Sequence, residues 1–349
     1  MSSWIRTTRG LALAAVACAA TLACPRLWAA SKPVVGEGGF HVVGKAGLPG
    51  DGGWDFLNLG PEGKRLYVAH NDSVQVLDAK TLDILGTVPG VTRAHGVAVV
   101  PELGKGFASS GRPGSVVAFS LKTFKRLADI PSSPDTDVIL YDRASGWIFT
   151  FNGDSHNATV IDPKMDDVVK VLKLPGAPEA AVSDREGLIF DNLASVNQVA
   201  RIDTQQITIT ARWSTLPGEQ PTGIALDRAH HRLFVGCRNK MLVVMDSLDG
   251  RVLAHLPIGA HVDGTAFDPA TGDVLDSCGD GTLSVIHEDT PDKYSLVENA
   301  PTMEGARTLA VSETSGRVYT AAARTVPSKT AKWHRKIVPG TFQVLVLEK

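Results

Sequence analysis

The chain has 349 residues and a formal net charge of −2, with 34 glycines, 20 prolines and 6% aromatic residues. The near-neutral charge excludes a global electrostatic attraction to nucleic acid, and the many turn-forming residues favour short strands over long helices. The length suits one large repeat array or two ordinary domains.

The N-terminal segment resembles a cleaved secretory signal over residues 1–30. Arg6 and Arg9 precede an alanine-rich apolar run over 11–24, and Ala29 and Ala30 offer small residues for cleavage. The run is short for a membrane span, although an uncleaved anchor is the alternative. We therefore expect an exported protein, periplasmic or secreted, with no membrane span after cleavage and one domain over residues 31–349.

A repeat of about 42 residues organises the rest of the chain. Its first copy, Arg65 to Thr81, predicts two strands, RLYVAH and SVQVLD, joined by a tight turn at Asn71 and Asp72. The residues that end the equivalent strand in successive copies are Asp78, Ser120, Asp162, Asp203, Asp246, His287 and Val346. Four candidate strands per copy predict an all-β fold, a seven-bladed β-propeller of four-stranded blades.

The last copy lacks its outermost strand, and an unassigned strand stands before the first copy. Phe40 to Leu48 reads FHVVGKAGL, which alternates apolar and polar residues. We expect this N-terminal strand to complete blade seven and close the ring, because closure leaves only short, protected sheet edges.

The repeat resembles the YVTN repeat of bacterial seven-bladed propellers, and residues 40–349 resemble the YncE-like family. The matching stretches are Leu66 to Ala69, Val74 to Asp78, Gln220 to Ala225 and Leu256 to Gly259. The resemblance implies a fold far more strongly than a function, because such propellers serve as binding modules, as interaction platforms and as enzymes.

The repeated aspartates Asp78, Asp162, Asp203 and Asp246 are interpreted as structural residues. An aspartate that ends a strand before a turn accepts hydrogen bonds from backbone N–H groups two residues further on. A metal set built from them is therefore not expected.

The start of each innermost strand predicts a channel mouth on the top face. Aligning these strands places one residue per blade there: Asp55, His95, Asp137, Glu179, Thr222, Asp263 and Arg307. Neighbouring positions should lie about 6 Å apart, so three adjacent blades can converge on one point. His95, Asp137 and Glu179 form a candidate site for a divalent metal ion; a solvated channel without metal is the alternative.

Ligand-binding candidates extend this mouth. Asp55 and Asp263 come from the mouth itself, and loops between second and third strands add His70, Asn71, His156 and Asn192. The simpler explanation for these loop residues is ordinary turn chemistry or an exposed loop histidine.

Residues 324–340, RTVPSKTAKWHRKIVPG, form a long basic insertion in blade seven. We expect a loop over the top face that holds an anionic group, with Trp333 as an apolar surface and Arg307 beneath it. A mobile solvated loop is the alternative, and single-stranded nucleic acid is not expected as the main partner.

Cys237 and Cys278 end equivalent second strands, 41 residues apart. Equivalent positions in neighbouring blades should be too far apart for a disulfide, so two free thiols are expected; a soft metal such as Cu(I) is the alternative ligand.

The function that these features favour is binding of a small molecule, a metal or a protein partner at the top face by a monomer. The first alternative is a lactone hydrolase or lyase. In such an enzyme His95 would act as general acid or base, Asp137 or Glu179 would hold a metal or orient water, and Arg307 would stabilise an oxyanion. The second alternative is a scaffold for an envelope or redox complex, which predicts an apolar patch on an outer face.

Overall fold

A computed structural model describes Met1 and residues 39–329 and 335–349. The chain divides into two compact units, Met1–Lys32 and Pro33–Lys349, and every described strand lies in the second. The proposed signal segment over 1–30 falls almost entirely outside the described residues.

Seven antiparallel four-stranded sheets, the blades of a propeller, follow one another along the chain. The first strand, β1 (His41–Gly47), belongs to the last blade. Blades one to three contain β2 (Trp54–Leu59), β3 (Arg65–His70), β4 (Ser73–Asp78) and β5 (Ile84–Pro89); β6 (Ala94–Val100), β7 (Lys105–Ser110), β8 (Ser115–Ser120) and β9 (Arg126–Pro131); and β10 (Thr136–Asp142), β11 (Trp147–Asn152), β12 (Asn157–Asp162) and β13 (Asp167–Lys173).

Blades four to seven continue the pattern. They contain β14 (Pro178–Ser183), β15 (Leu188–Leu193), β16 (Gln198–Asp203) and β17 (Thr208–Ser214); β18 (Pro221–Asp227), β19 (Arg232–Cys237), β20 (Met241–Asp246) and β21 (Val252–Pro257); β22 (Val262–Asp268), β23 (Asp273–Cys278), β24 (Thr282–Thr290) and β25 (Lys293–Pro301); and β26 (Leu309–Val311), β27 (Val318–Ala322) and, after the hairpin β28 (Thr325–Pro327) and β29 (Arg335–Ile337), β30 (Gln343–Glu348). Short 3-10 helices span Pro101–Leu103 and Ala194–Val196.

The hydrophobic core lies between the blades. Seven clusters of buried side chains each draw on two neighbouring blades, for example Phe149 and Phe151 of blade three against Ile189 and Leu193 of blade four. The middle strands are therefore buried on both faces, whereas an outermost strand such as β17 alternates exposed and half-buried residues. Two-sided burial explains the nearly continuous apolar runs of the second and third strands.

Ring closure follows the sequence prediction. Strand β1 pairs antiparallel with β30, with His41 opposite Glu348 and Gly47 opposite Gln343. The Phe40 backbone N–H also donates to Glu298 Oε1 in blade six at 2.8 Å. The predicted seven-bladed fold, completed by an N-terminal strand, is confirmed.

The strand-ending aspartates are turn caps, as expected. Asp78 Oδ1 accepts from the backbone N–H groups of Lys80 and Thr81, at 2.8 and 2.9 Å. Asp162, Asp203 and Asp246 accept equivalent bonds from the residues that follow them.

The insertion in blade seven differs from the expected long loop. Strands β28 and β29 form a two-stranded hairpin, with Thr325 opposite Ile337 and Pro327 opposite Arg335. Arg335 ties this hairpin to Glu304 at 2.9 Å, so part of its positive charge is neutralised locally. Trp333 lies outside the described residues.

A search of the described residues finds no helix that is long and apolar enough to cross a membrane.

The closing strand yields a direct test. A chain that starts at residue 49 should be less stable than one that starts at residue 39, by about 3 kcal/mol or more, because it loses the buried side chains of Phe40 and Leu48 and exposes the edge of β30. Thermal unfolding and gel filtration measure the effect. Equal melting temperatures and equal monomer fractions would contradict a stabilising closure.

Candidate functional site

The top-face mouth is built from the first residues of the innermost strands. Because each blade starts with its innermost strand, the residues at those starts meet around one axis, as the alignment predicts. Asp55, His95 and Asp137 come from β2, β6 and β10 in adjacent blades. Their ligand atoms all lie within 4.8 Å of one another, so three adjacent blades do converge on one point.

His95 is the centre of this group. Its Nδ1 lies 2.5 Å from Asp55 Oδ2 and 3.2 Å from Asp137 Oδ1. The imidazole is 7% exposed, and its Nε2 is buried without a hydrogen-bond partner beside Gly111. Both carboxylates therefore lie next to the same nitrogen, Nδ1.

The side chains that converge at the mouth differ by one residue from the expected group of His95, Asp137 and Glu179. Glu179 does not belong to the group within 4.8 Å, and Asp55 takes its place beside His95 and Asp137. The repeat spacing fixes which residues reach the mouth, but the direction of each side chain depends on contacts with neighbouring blades.

Arg307 does not form an open basic side, contrary to the expectation. Its Nε donates to Asp263 at 2.8 Å, one of its terminal nitrogens lies 3.6 Å from Asp55, and that nitrogen donates to the Trp54 carbonyl at 2.7 Å. Arg238 donates to the second oxygen of Asp263 at 3.0 Å. The mouth is therefore one connected ion-pair network. Thr222, the remaining mouth residue, donates to the Val262 carbonyl and is structural.

Burial perturbs the acidic groups of this network. Burial, followed by the negative charges of Asp137 and Asp263, raises the pKa of Glu179 to about 8. Burial also raises the pKa of Asp137. For His95, burial acts to lower the pKa, but the charges of Asp137 and Asp55 outweigh it and the pKa is raised.

Asp191 is a buried acidic residue that the sequence analysis did not single out. It lies inside β15, is fully buried, and neither carboxylate oxygen has a hydrogen-bond partner. Burial and then the charge of Glu179 raise its pKa well above the ordinary value. The sequence does contain an indication of this buried carboxyl group, because Asp191 stands at the strand position that Val68 and Val235 occupy in other blades.

Two further residues of the network were also missed. Arg93 lies 2.7 Å from Asp135, and both directly precede an innermost strand. Arg93 lies two residues before His95, and Asp135 lies two residues before Asp137. The repeat does not indicate that Arg93 and Asp135 form a pair, because they belong to different blades.

The predicted loop residues serve the fold. His70 is 2% exposed, and its ring stacks on Phe342 at 3.9 Å; burial lowers its pKa. Asn71 and His156 are exposed turn residues with positive φ angles of 50° and 48°. Asn192 is buried and donates to the Gly223 carbonyl of blade five at 2.9 Å. These four residues therefore lie outside the ion-pair network.

Cys237 and Cys278 are free and buried, as predicted. Burial raises the pKa of Cys237 to about 12 and raises that of Cys278 as well. Because the thiolate is the form that binds a soft metal, this environment disfavours the Cu(I) alternative.

A second group of ligand atoms lies at the opposite ends of the strands. Asp227, His230 and Glu288 also have ligand atoms within 4.8 Å of one another. Asp227 already accepts bonds from the Ala229 N–H and from His230 Nδ1, so its carboxylate is occupied in capping its own turn.

Comparison with known proteins identifies the fold but not a family. No protein-family model and no curated protein matches the chain. Among solved structures, a chain of Kuenenia stuttgartiensis hydrazine synthase is similar, with a TM-score of 0.69 and 16% identity, over 77% of this chain and 92% of that chain.

Two further solved structures are similar to the chain in shape. The WD40 repeats of RRP9 give a TM-score of 0.73 at 11% identity, over 89% of this chain and all of that one; U3-55K gives 0.71 at 11% identity, over 86% and 98%. At these identities the similarity concerns the fold alone. The chain has the fold of a seven-bladed β-propeller.

Proposed function

We propose that this protein binds a divalent metal ion at the top-face mouth of its channel, with Asp55, His95 and Asp137 as ligands. The observation that carries this proposal is an excess of carboxyl groups that are half-buried or, for Asp191, fully buried. The carboxyl groups at the mouth are those of Asp55, Asp135, Asp137, Glu179, Asp191 and Asp263; the cationic partners are Arg93, His95, Arg238 and Arg307.

Such an excess is costly without a counter-charge. Buried carboxylates close to one another repel, and they respond by holding protons or by binding a cation. One imidazole nitrogen and two carboxylate oxygens that converge on one point suit Zn²⁺ or Mn²⁺. The ion would replace the proton that His95 Nδ1 now shares with Asp55 and Asp137, and Glu179 would supply further negative charge across the mouth.

The enzyme alternative has weaker support. A general acid or base must reach the substrate with a free nitrogen or oxygen, but His95 Nδ1 is engaged by two carboxylates and Nε2 is buried beside Gly111. Arg307 is likewise engaged by Asp263. A lactonase or lyase site that uses these side chains would need the network to open.

The scaffold alternative rests on the outer strands. Apolar side chains are exposed on the outermost strands of blades one to three: Ile84, Leu85, Leu127, Val169 and Val171. Nothing in the described residues shows what would cover them, so a protein partner on this side is the weaker proposal.

Kinship with YncE-like propellers of the YVTN type and export through the segment 1–30 are further proposals. They are supported by the repeat sequence and by the basic, apolar and small-residue regions of the N-terminus. The acidic mouth fits either a monomeric metal-binding protein or one that presents the bound ion to a partner.

The metal site is tested by titration calorimetry with Zn²⁺ and Mn²⁺. We expect the wild-type protein to bind at least one of them, and Asp137→Asn to weaken that binding by about tenfold or more, because a charged ligand is lost. Asp129→Asn, which changes a half-exposed aspartate on β9, is the matched control and should have no effect. Equal affinities of Asp137→Asn and wild type, or no binding up to about millimolar metal, would overturn the proposal.

Metal affinity should also rise with pH, because binding must displace protons from the site. A heat signal that changes with the ionisation enthalpy of the buffer would measure the protons released. An affinity that falls between pH 6 and pH 8 would contradict displacement of protons from His95 and its neighbouring carboxyls.

The perturbed carboxyl groups predict how stability depends on pH. The folded pKa of Glu179, about 8, exceeds its ordinary value of 4.5, so the folded state holds a proton that the unfolded state releases between these two values. The free energy of unfolding should therefore fall as pH rises from about 5 to 8.

Glu179→Gln should reduce the loss of unfolding free energy between pH 5 and pH 8. We expect it to match wild type at pH 5 and to be more stable at pH 8 by roughly 1–4 kcal/mol, as measured by denaturant unfolding. Glu186→Gln, at an exposed turn residue, is the control. A constant difference between Glu179→Gln and wild type at both pH values would contradict a raised pKa at this position.

Export is tested by expressing the intact gene in a bacterium and sequencing the N-terminus of the product. We expect periplasmic or secreted protein that begins close to residue 31. Deletion of the apolar run over 11–24 should keep the protein in the cytoplasm. A periplasmic product that retains residues 1–30 would instead support the uncleaved anchor.

A further inference from the structure

The opposite end of the channel carries a different chemistry. A cavity of about 520 Å³ lies where the innermost strands end, and it is lined by residues such as Leu59, Val99, Tyr141, Ser183 and Val311. These residues lie at or near the ends of β2, β6, β10, β14 and β26, whereas the proposed metal site lies where such strands begin. The cavity is therefore separate from that site.

Three arginines line this cavity, and they come from a repeated Asp-Arg dipeptide. The dipeptides are Asp142-Arg143, Asp184-Arg185 and Asp227-Arg228, each in the turn after the innermost strand of blades three, four and five. The repeat spacing of 42 and 43 residues brings the arginines to one rim. Glu313 is the one acidic side chain among the described lining residues.

The aspartates of these dipeptides do not neutralise their arginines. Asp142 Oδ2 accepts from the Ser145 N–H and hydroxyl groups. Asp184 Oδ1 accepts from three backbone N–H groups of its own turn. Asp227 caps its own turn in the same way. Each of the three aspartates therefore accepts hydrogen bonds within its own turn and forms no ion pair with the arginine that follows it.

Arg228 is the most constrained of the three arginines. It donates to the Ser183 carbonyl at 2.6 Å, and its Nε is buried without a hydrogen-bond partner. Burial, followed by the nearby charge of Arg185, lowers its pKa, and the carboxylates of Glu313, Asp184 and Asp227 offset only part of this effect. Arg185 reaches Glu313 at 3.7 Å, but both side chains are more than half exposed, so this pair contributes little.

Above the arginines the channel wall includes many aliphatic and aromatic side chains, together with the polar side chains of Asn58 and Thr265 and, on the side of the mouth, Asp263. A second cavity of about 210 Å³ shares Ile139, Leu140 and Ala181 with the first, and its wall continues through Phe56 and Leu309. A ligand that enters past the arginines therefore meets aliphatic and aromatic side chains. Burying an apolar chain there gains about 0.8 kcal/mol for each CH₂ group removed from water.

From this arrangement we infer that the arginine-lined end of the channel binds an organic anion with an apolar body, its carboxylate held by Arg185 and Arg228 and its hydrocarbon part in the channel. Guanidinium groups match the geometry of carboxylates and phosphates, with which they form paired hydrogen bonds; the aliphatic lining of the cavity favours an anion that carries a hydrocarbon chain. A metal cation would be repelled by the three arginines. A polyanion could use the arginines but would leave the apolar channel unfilled.

Octanoate is the probe for this inference, measured by titration calorimetry with the purified protein. We expect saturable binding of octanoate, and binding at least tenfold weaker for octan-1-ol, which has the same chain without the charge. Inorganic phosphate should compete poorly. Absence of octanoate binding, equal binding of octan-1-ol, or full displacement by equimolar phosphate would each overturn the inference.

Arginine variants locate the head group. Arg228→Met should weaken octanoate binding about tenfold or more, and Arg185→Met should weaken it in the same direction. Arg212→Met, at an exposed position on β17, removes the same charge elsewhere and should leave the affinity unchanged. Thermal unfolding of each variant checks folding, and Arg185→Met, at an exposed turn residue, keeps the test available if Arg228→Met is unstable. Equal affinities of Arg185→Met and Arg212→Met would overturn the assignment.

A channel variant locates the hydrocarbon part. Ala181→Leu adds bulk where the two cavities meet, so it should weaken octanoate binding more than acetate binding. Asp137→Asn at the opposite mouth should leave octanoate binding unchanged, which separates failure here from failure of the metal proposal. If Asp137→Asn weakened octanoate binding and Ala181→Leu did not, octanoate would bind at the mouth rather than at the arginine-lined end, which would contradict the inference.

Discussion

A four-stranded blade whose middle strands are apolar on both faces needs a neighbour on either side. In this chain each of the seven interblade clusters draws on two adjacent blades, so no blade has a complete core of its own. The ring must therefore close, and the pairing of β1 with β30 supplies the closure. All the other interfaces depend on this contact between the two ends of the domain.

Closure has an electrostatic consequence. Ring closure brings the first residues of the innermost strands together around the channel axis, including those that carry the same charge. The resulting mouth offsets much of its negative charge through Arg307, Arg238 and His95. Burial, followed by the neighbouring negative charges, raises the pKa values of Glu179 and Asp191. Perturbed buried carboxyls of this kind are expected at functional sites more often than elsewhere.

The two ends of the channel have opposite character. The mouth where the inner strands begin has half-buried carboxyl groups around His95. The end where these strands finish has three arginines beside a cavity lined by many aliphatic side chains. Both sets arise from positions that recur once per blade but carry different residues in different blades. Constant positions build the blades, and variable positions next to the axis are free to provide chemistry.

The sequence alone determined the fold. Three patterns can be read from it: the repeat length, the alternation within strands and the missing outer strand of the last copy. Together they are satisfied by a closed ring of seven blades. The sequence also identified the seven mouth positions and the capping role of Asp78, since these follow from spacing. Only the tertiary structure decided that Asp55 rather than Glu179 joins His95 and Asp137, that His70 stacks on Phe342, and that Asp191 is buried inside a strand. Those outcomes depend on side-chain directions and on contacts between blades, which a repeat period does not specify.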